Sequence, residues 1–417
     1  MIYFEKRYKM NYNEFSNGTK IIDFKNSIDE LSTILLGLNA SRILLVSTTQ
    51  LSDSGYVEKI KKAIEKQSRL SIGAVYLGND LTDDGEDILK DLYFVFMSNS
   101  CDSIVVCGSG KLIDYTKALK LMIATQVKDI KKFYSSSMDA REIIYTPFIA
   151  IPSQFGSGNE TNSTAVVFDK EKGLSRNIID GLLSPDYCLV DGELIATMDT
   201  QRSAYGVLEI FARAVDGFTV TDATPPPTEP FAKKIYDNYI ELQTSAISDG
   251  FCKVALTGLK NKALSLLEEP TEEKYRKMEI RGAYLSKGTD SSGLGLIQCA
   301  SQAIADVKGV EYYVALPKAI KAVFEYNKDV CKEKYARCLL SFMGWQIYSE
   351  CKQEERHTQF VKLSLDFIDF LEDRYFNSKQ MELNDEEKQA VVSAMTFNVN
   401  ILNNPRKFNS AVFKTLL

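Results

Sequence analysis

The chain has one histidine, His357, and one tryptophan among 417 residues. A lone imidazole excludes any site that needs two or more histidines from one chain, such as an HExxH zinc site or a two-His-one-carboxylate iron site. A Ser–His–Asp or Cys–His mechanism would have to run through His357, which sits in the polar run CKQEERH and reads as part of a solvated helix face. A basic excess is missing too. Fifty Lys and Arg against 56 Asp and Glu give a net charge of −6, which argues against nucleic acid as a partner, since phosphates are gripped by a basic face. No apolar run approaches the roughly 20 residues of a membrane span. The start, MIYFEKRYKMNY, lacks the apolar segment of a signal peptide. None of the eight cysteines forms a CxxC pair, and most lie in apolar runs such as SIVVCG and LIQCAS, which suits buried thiols in a reducing compartment. These absences read as a cytoplasmic protein with no membrane and no nucleic acid among its partners.

What is present is a globular chain: 45% of residues are hydrophobic and no segment is of low complexity. Its first half alternates strand and helix patterns. Short apolar runs at 43–47 (ILLVS), 71–77, 103–107 (SIVVC), 148–152, 164–168 and 188–191 read as strands, and 54–67, 84–97 and 111–125 as helices. This alternation implies right-handed βαβ units and a mostly parallel sheet. From about residue 200 the periodicity turns helical, with stretches at 232–248, 272–287, 294–307, 317–326, 332–350, 358–374 and 386–400, and a proline-rich loop at 221–230 (TDATPPPTEP). The expected fold class is α/β plus all-α: a Rossmann-like parallel-sheet domain, 1–195, followed by a helical domain, 196–417. The site is expected in the cleft between them.

Two loops that follow strands carry candidate chemistry. In VVCGSGKLIDYTKALK, Gly108 and Gly110 let a ligand approach the backbone where the next helix opens its free N–H groups, which suits a phosphate cradle or simply a tight strand–helix turn. IPSQFGSGNETNST is rich in hydroxyls and amides suited to a polar ligand, and equally to an ordinary turn. Two such loops in one α/β domain favour a dinucleotide site over either loop alone.

In order and spacing these loops resemble the iron-containing (group III) alcohol dehydrogenases of the dehydroquinate-synthase-like superfamily. The family's GGGSxxD reads GSGKLID at 108–114, with Lys117 at the usual lysine. Its IPTTxGTGSE reads IPSQFGSGNE at 151–160, and its PxxxxxDPxL reads PDYCLVDGEL at 185–194. A PxxxxYN-like landmark reads PKAIKAVFEYN, ending at Asn327. The resemblance implies NAD or NADP as cofactor, held by Thr48, Gly108, Ser109, Gly110, Asp114, Lys117, Ser153, Gln154, Gly156 and Arg176. Thr48 stands where the family often has the aspartate that bonds the adenosine ribose. Without that acid the repulsion against a 2′-phosphate is gone, which tilts toward NADP or toward no preference, so the expected cofactor is NAD(P).

The chain departs from the family at the metal. The family holds a divalent ion with one aspartate and three histidines. Here VLEIFARAVDGF places Glu209 at the aspartate and Arg213 at the first histidine, the HxxxH pair becomes Gln298 and Gln302, and the last histidine becomes Lys308. Protonated Arg213 and Lys308 repel a cation, so no metal is expected. Two cations in the cleft could stabilise an alkoxide or grip an anionic group, with Glu209 orienting Arg213 by an i,i+4 pair. The leading expectation is thus a metal-independent NAD(P)-dependent alcohol/carbonyl oxidoreductase acting on an anionic small molecule or peptide. One form of it is oxidative decarboxylation of a β-hydroxy acid or of a peptide C-terminus. The alternatives are an inactive homologue that binds nucleotide or a protein partner, and a carbocycle-forming lyase, which the missing histidines disfavour. A homodimer is compatible with either.

Overall fold

The computed structural model describes residues 18–78, 85–134, 143–220, 249–259, 263, 267, 294–376 and 381–417. Six strands form one parallel sheet: β1 (Lys20–Phe24), β2 (Arg42–Thr48), β3 (Ser71–Gly78), β4 (Ser103–Gly108), β5 (Phe148–Pro152) and β8 (Tyr187–Asp191). β6 (Thr164–Asp169) and β7 (Leu174–Ile179) pair antiparallel as a separate hairpin. The central strands are apolar throughout because both faces of the sheet are covered. Successive side chains alternate between the faces. Ile43, Leu45, Val105 and Cys107 pack on one side with α1 (Leu31–Gly37) and α2 (Tyr56–Glu65), while Leu44, Val46, Ile104 and Val106 pack on the other with α3 (Asp87–Ser98) and α4 (Gly110–Thr125).

The strand order is β1-β8-β5-β4-β2-β3. From β2 the chain steps outward to β3, then returns across β2 to β4 and continues the other way. The reversal opens a crevice at the carboxyl ends of β2 and β4, the position where parallel α/β sheets bind ligands. Thr48 and Gly108 end those two strands.

The later residues are helical: α5 (Thr200–Thr219), α6 (Leu296–Lys308), α7 (Tyr312–Asn327), α8 (Lys332–Met343), α9 (Arg356–Tyr375) and α10 (Asp385–Met395) share one apolar core. The structure differs from the pattern-based reading at several points. β1 and β7 lack an apolar run because each buries little of itself. α7 starts at Tyr312, so Pro317 lies inside it. The stretch 332–350 is broken at Gly344, whose φ of 83° a helix cannot contain. The stretch 386–400 ends at Met395 and gives way to a 3-10 turn, Val399–Asn403. The helices expected at 232–248 and 272–287 and the loop at 221–230 lie outside the described residues. His357 sits half-buried near the start of α9, and all eight cysteines are free thiols. No helix among the described residues is long and apolar enough to cross a membrane.

Candidate functional site

α4 opens at the crevice. Ser109 is its N-cap but makes no side-chain capping bond, so the first turn's N–H groups are left to other partners. The turn is tightly built: a Cβ at Gly108 would stand 2.6 Å from Leu112 Cδ2, and one at Gly110 would stand 2.8 Å from Ser157 Oγ. Gly110 therefore brings the two loops into contact. The second loop follows β5, where Ser153 N donates to Gly108 O at 2.9 Å, and Gln154 is half-buried beside it. Gly156 has φ +112° and lies against Gly206 of α5, so close that a Cβ on Gly156 would be 2.8 Å from Gly206 Cα. Two glycines facing each other seat the loop directly on the helix that carries Glu209 and Arg213.

Polar side chains gather at this junction. Asp114, Lys117, Glu160, Arg213 and Asp216 are each 6% exposed or less. The Arg213 Nε–Glu209 Oε1 pair spans 3.3 Å, one helical turn apart. Arg213 Nη2 donates to Asn159 Oδ1 at 3.5 Å, and Asn159 Nδ2 donates to Asp114 Oδ2 at 2.9 Å. Lys117 Nζ donates to Asn159 O at 2.9 Å, to Asn162 Oδ1 at 2.5 Å and to Thr164 O, and lies 3.5 Å from Asp114 Oδ1. A hydrogen-bonded line thus runs from the sheet half through the loop into α5. Asp216, one turn beyond Arg213, accepts from the backbone N–H groups of Gly295, Ile297 and Gln298, and so caps α6 from outside.

Burial raises the proton affinity of these acids. It lifts Asp114 to about 6 despite Lys117, a backbone N–H and Arg213, and Glu160 to about 7 despite Arg213 and Lys117, with Glu209 adding to the rise. It lifts Asp216 to about 6 against three N–H donors and Arg213. Near neutral pH the junction therefore holds carboxyls that exchange protons beside two fixed cations.

The other expected residues are placed less centrally. Thr48 caps the short helix after β2, accepting from Leu51 N. Gln302 Nε2 donates to Ser175 Oγ and Asp306 Oδ1, both at 3.0 Å, and Gln298 Oε1 accepts from Asn400 Nδ2 at 2.7 Å. Arg176 lies over the rings of Tyr134 and Phe397, with a long bond to Tyr134 O, and none of these partners belongs to the cradle. Lys308 ends α6, about 15 Å along its axis from Gln298, and pairs with Glu387 at 2.9 Å. The expected pair of cations is therefore not assembled: Arg213 meets Lys117 at the junction, and Lys308 serves a different pair. Asn159, Glu160, Asn162 and Asp216 join the site without having been singled out. The first three stand in the quoted loop, and Asp216 follows Arg213 at i+3, so helical spacing alone could have found it.

Among the described residues, the positions where the family pattern has histidine ligands hold other chemistry: Arg213 is a cation paired with Glu209, Gln302 gives hydrogen bonds to Ser175 and Asp306, and Gln298 Oε1 accepts from Asn400. Among the described residues no three His, Cys, Asp or Glu side chains are placed to hold a metal.

Residues 18–192 match the family described as iron-containing alcohol dehydrogenase. The NAD-dependent methanol dehydrogenase of Bacillus methanolicus is 24% identical over 314 residues, 75% of each chain. Three further relatives match over 45% to 55% of their own length. In fold, the chain is similar to a 1,3-propanediol oxidoreductase (TM-score 0.81, 16% identity, covering 97% of this chain and 99% of that one). It is also similar to the sulfoacetaldehyde reductase of Bifidobacterium kashiwanohense, solved with NAD+ (TM-score 0.74, 17% identity, 97% of each). Residues 18–192 are thus similar in sequence to the iron-containing alcohol dehydrogenases, and nearly the whole chain shares the fold of these two solved oxidoreductases.

Proposed function

We propose that this protein is an NAD(P)-dependent oxidoreductase that interconverts an alcohol and a carbonyl, acts on an anionic substrate, and works without a histidine-held metal. The observation that carries the reading is Arg213. It is buried where the family pattern has a metal ligand, 3.3 Å from Glu209 and joined through Asn159 to the glycine cradle. The cradle suits a dinucleotide: glycines where a Cβ would collide, an uncapped helix start, and a position at the reversal of strand order. NAD(P) bound there would supply the hydride acceptor or donor. Thr48, Ser109, Gly110 and Ser153 would hold it. Arg213 supplies fixed positive charge to an oxygen that turns negative during the reaction, a role a metal otherwise fills. Glu160, buried beside Arg213, is suited to take up the hydroxyl proton. A sulfoacetaldehyde reductase among the fold relatives supports a carbonyl substrate that carries an acidic group.

Metal analysis of the purified protein, together with NADH and NADPH titration followed by fluorescence, tests this. The expected result is micromolar binding of one or both cofactors at substoichiometric iron and zinc, and reduction of an acid-bearing aldehyde that survives chelator. Stoichiometric metal needed for turnover, or binding of neither cofactor, overturns it.

A further inference from the structure

The C-terminal residues show no readable motif, yet they reach Gln298, whose backbone N–H binds Asp216 at the edge of the site. Asn398 caps the 3-10 turn Val399–Asn403: its Oδ1 accepts from Asn400 N at 3.0 Å and from Asn177 Nδ2 of β7 at 3.1 Å. Asn400, 8% exposed, donates Nδ2 to Gln298 Oε1 at 2.7 Å. Asn403 Nδ2 donates to Leu294 O just before α6, and Asn404 exchanges two hydrogen bonds with Asn327 of α7, at 2.7 and 3.0 Å. The segment is tied down on three sides, so Asn400 is held rather than adaptable. A primary amide whose oxygen is fixed by a donor has its orientation decided, and its NH2 is turned the other way. Gln298 is half-buried, and among the described residues nothing accepts from its Nε2. Its own backbone N–H binds Asp216, the residue one turn beyond Arg213.

We propose that Asn400 is a positioning residue, holding Gln298 Oε1 so that Gln298 Nε2–H2 is presented as a neutral donor to the oxygen of the reacting carbonyl or alcohol. This rests on the oxidoreductase reading above. A preset amide donor acts where charge develops and needs no reorganisation at the moment of reaction. No proton or electron moves through it. The hydride passes between substrate carbon and nicotinamide while Gln298 stabilises the oxygen.

The informative variant is Asn400→Asp, which keeps the shape but replaces the donor by an acceptor. Gln298 then turns its Nε2 toward the introduced carboxylate and offers the substrate an oxygen instead. Carbonyl reduction by NAD(P)H is compared in the wild type, Asn400→Asp, Gln298→Ala and the double variant, with cofactor affinity from fluorescence and folding from the thermal midpoint. The expected outcome is a kcat lowered about 10²-fold in each single variant, a double variant no slower than Gln298→Ala alone, and an unchanged cofactor Kd. Asn400→Ser, which keeps a hydroxyl donor, should recover part of the rate. An active wild type with an equally active, folded Asn400→Asp overturns the proposal alone, as do losses that multiply in the double variant. A wild type that binds cofactor but reduces no carbonyl overturns the oxidoreductase reading and this role together.

Discussion

Arg213 gathers more of the chemistry than any other side chain. Its guanidinium faces Glu209 and Asn159 directly and acts on Asp114, Glu160 and Asp216 through space. The three acids that bind protons more tightly when folded set a direction for stability against pH. Their contribution is complete below the carboxylates' unfolded values near 4 and is lost as pH rises through about 6 for Asp114 and Asp216 and about 7 for Glu160. The urea midpoint should therefore fall between about pH 5 and pH 8, and Glu160→Gln should make that fall shallower. A midpoint that rises over this range, or an unaltered slope in the variant, would show that Glu160 is ionised in the fold. Lys308 behaves differently, because its partner Glu387 is exposed enough for water to screen the pair.

Among the elements, the close approach of the 153–160 loop to α5 decides the site's shape. A helix surface normally keeps a neighbour at side-chain distance. Gly206 opposite Gly156 removes both side chains, and the loop's backbone settles on the helix one turn from Glu209. Gly156→Ala adds a Cβ at φ +112° with no room for it. It should cost about 1–3 kcal/mol by overpacking and weaken NADH binding, because Ser157 then shifts relative to Gly110. Urea unfolding and fluorescence titration report the two effects, and a variant as stable as the wild type would rule out this contact. Much of this was legible beforehand: the glycine-bearing loops, their place after β4 and β5, and the i,i+4 spacing of Glu209 and Arg213 are all visible in the chain. The facing of Gly156 and Gly206 was not, since 50 residues separate them and Gly206 stands in no distinctive local pattern.

At the scale of the molecule, the hairpin β6–β7 clasps the helical half. Ser175 donates N and Oγ to Asp306 of α6 at 2.7 and 2.8 Å, and Gln302 bonds the same pair. Burial raises the Asp306 carboxyl's proton affinity against these donors. Asp306→Ala leaves the Ser175 N–H without its acceptor, a loss of about 1–3 kcal/mol. Amide hydrogen exchange in β6 and β7 should quicken, and unchanged exchange there would mean that the clasp adds nothing.

The lone histidine, the apolar strands and the two glycine loops were determined by the sequence itself, because composition, two-residue alternation and turn chemistry are local properties. They are enough to specify a parallel sheet with a cleft at its carboxyl edge and to remove a three-histidine metal site. Which charges meet in that cleft was decided only by tertiary structure. Lys308 and Arg213 look equivalent along the chain, yet helix rise carries Lys308 to the far end of α6, while Lys117 and Glu160 arrive from the other half. Asn400 bonds a partner 102 residues away. Such contacts depend on how helices pack, and no local pattern encodes them.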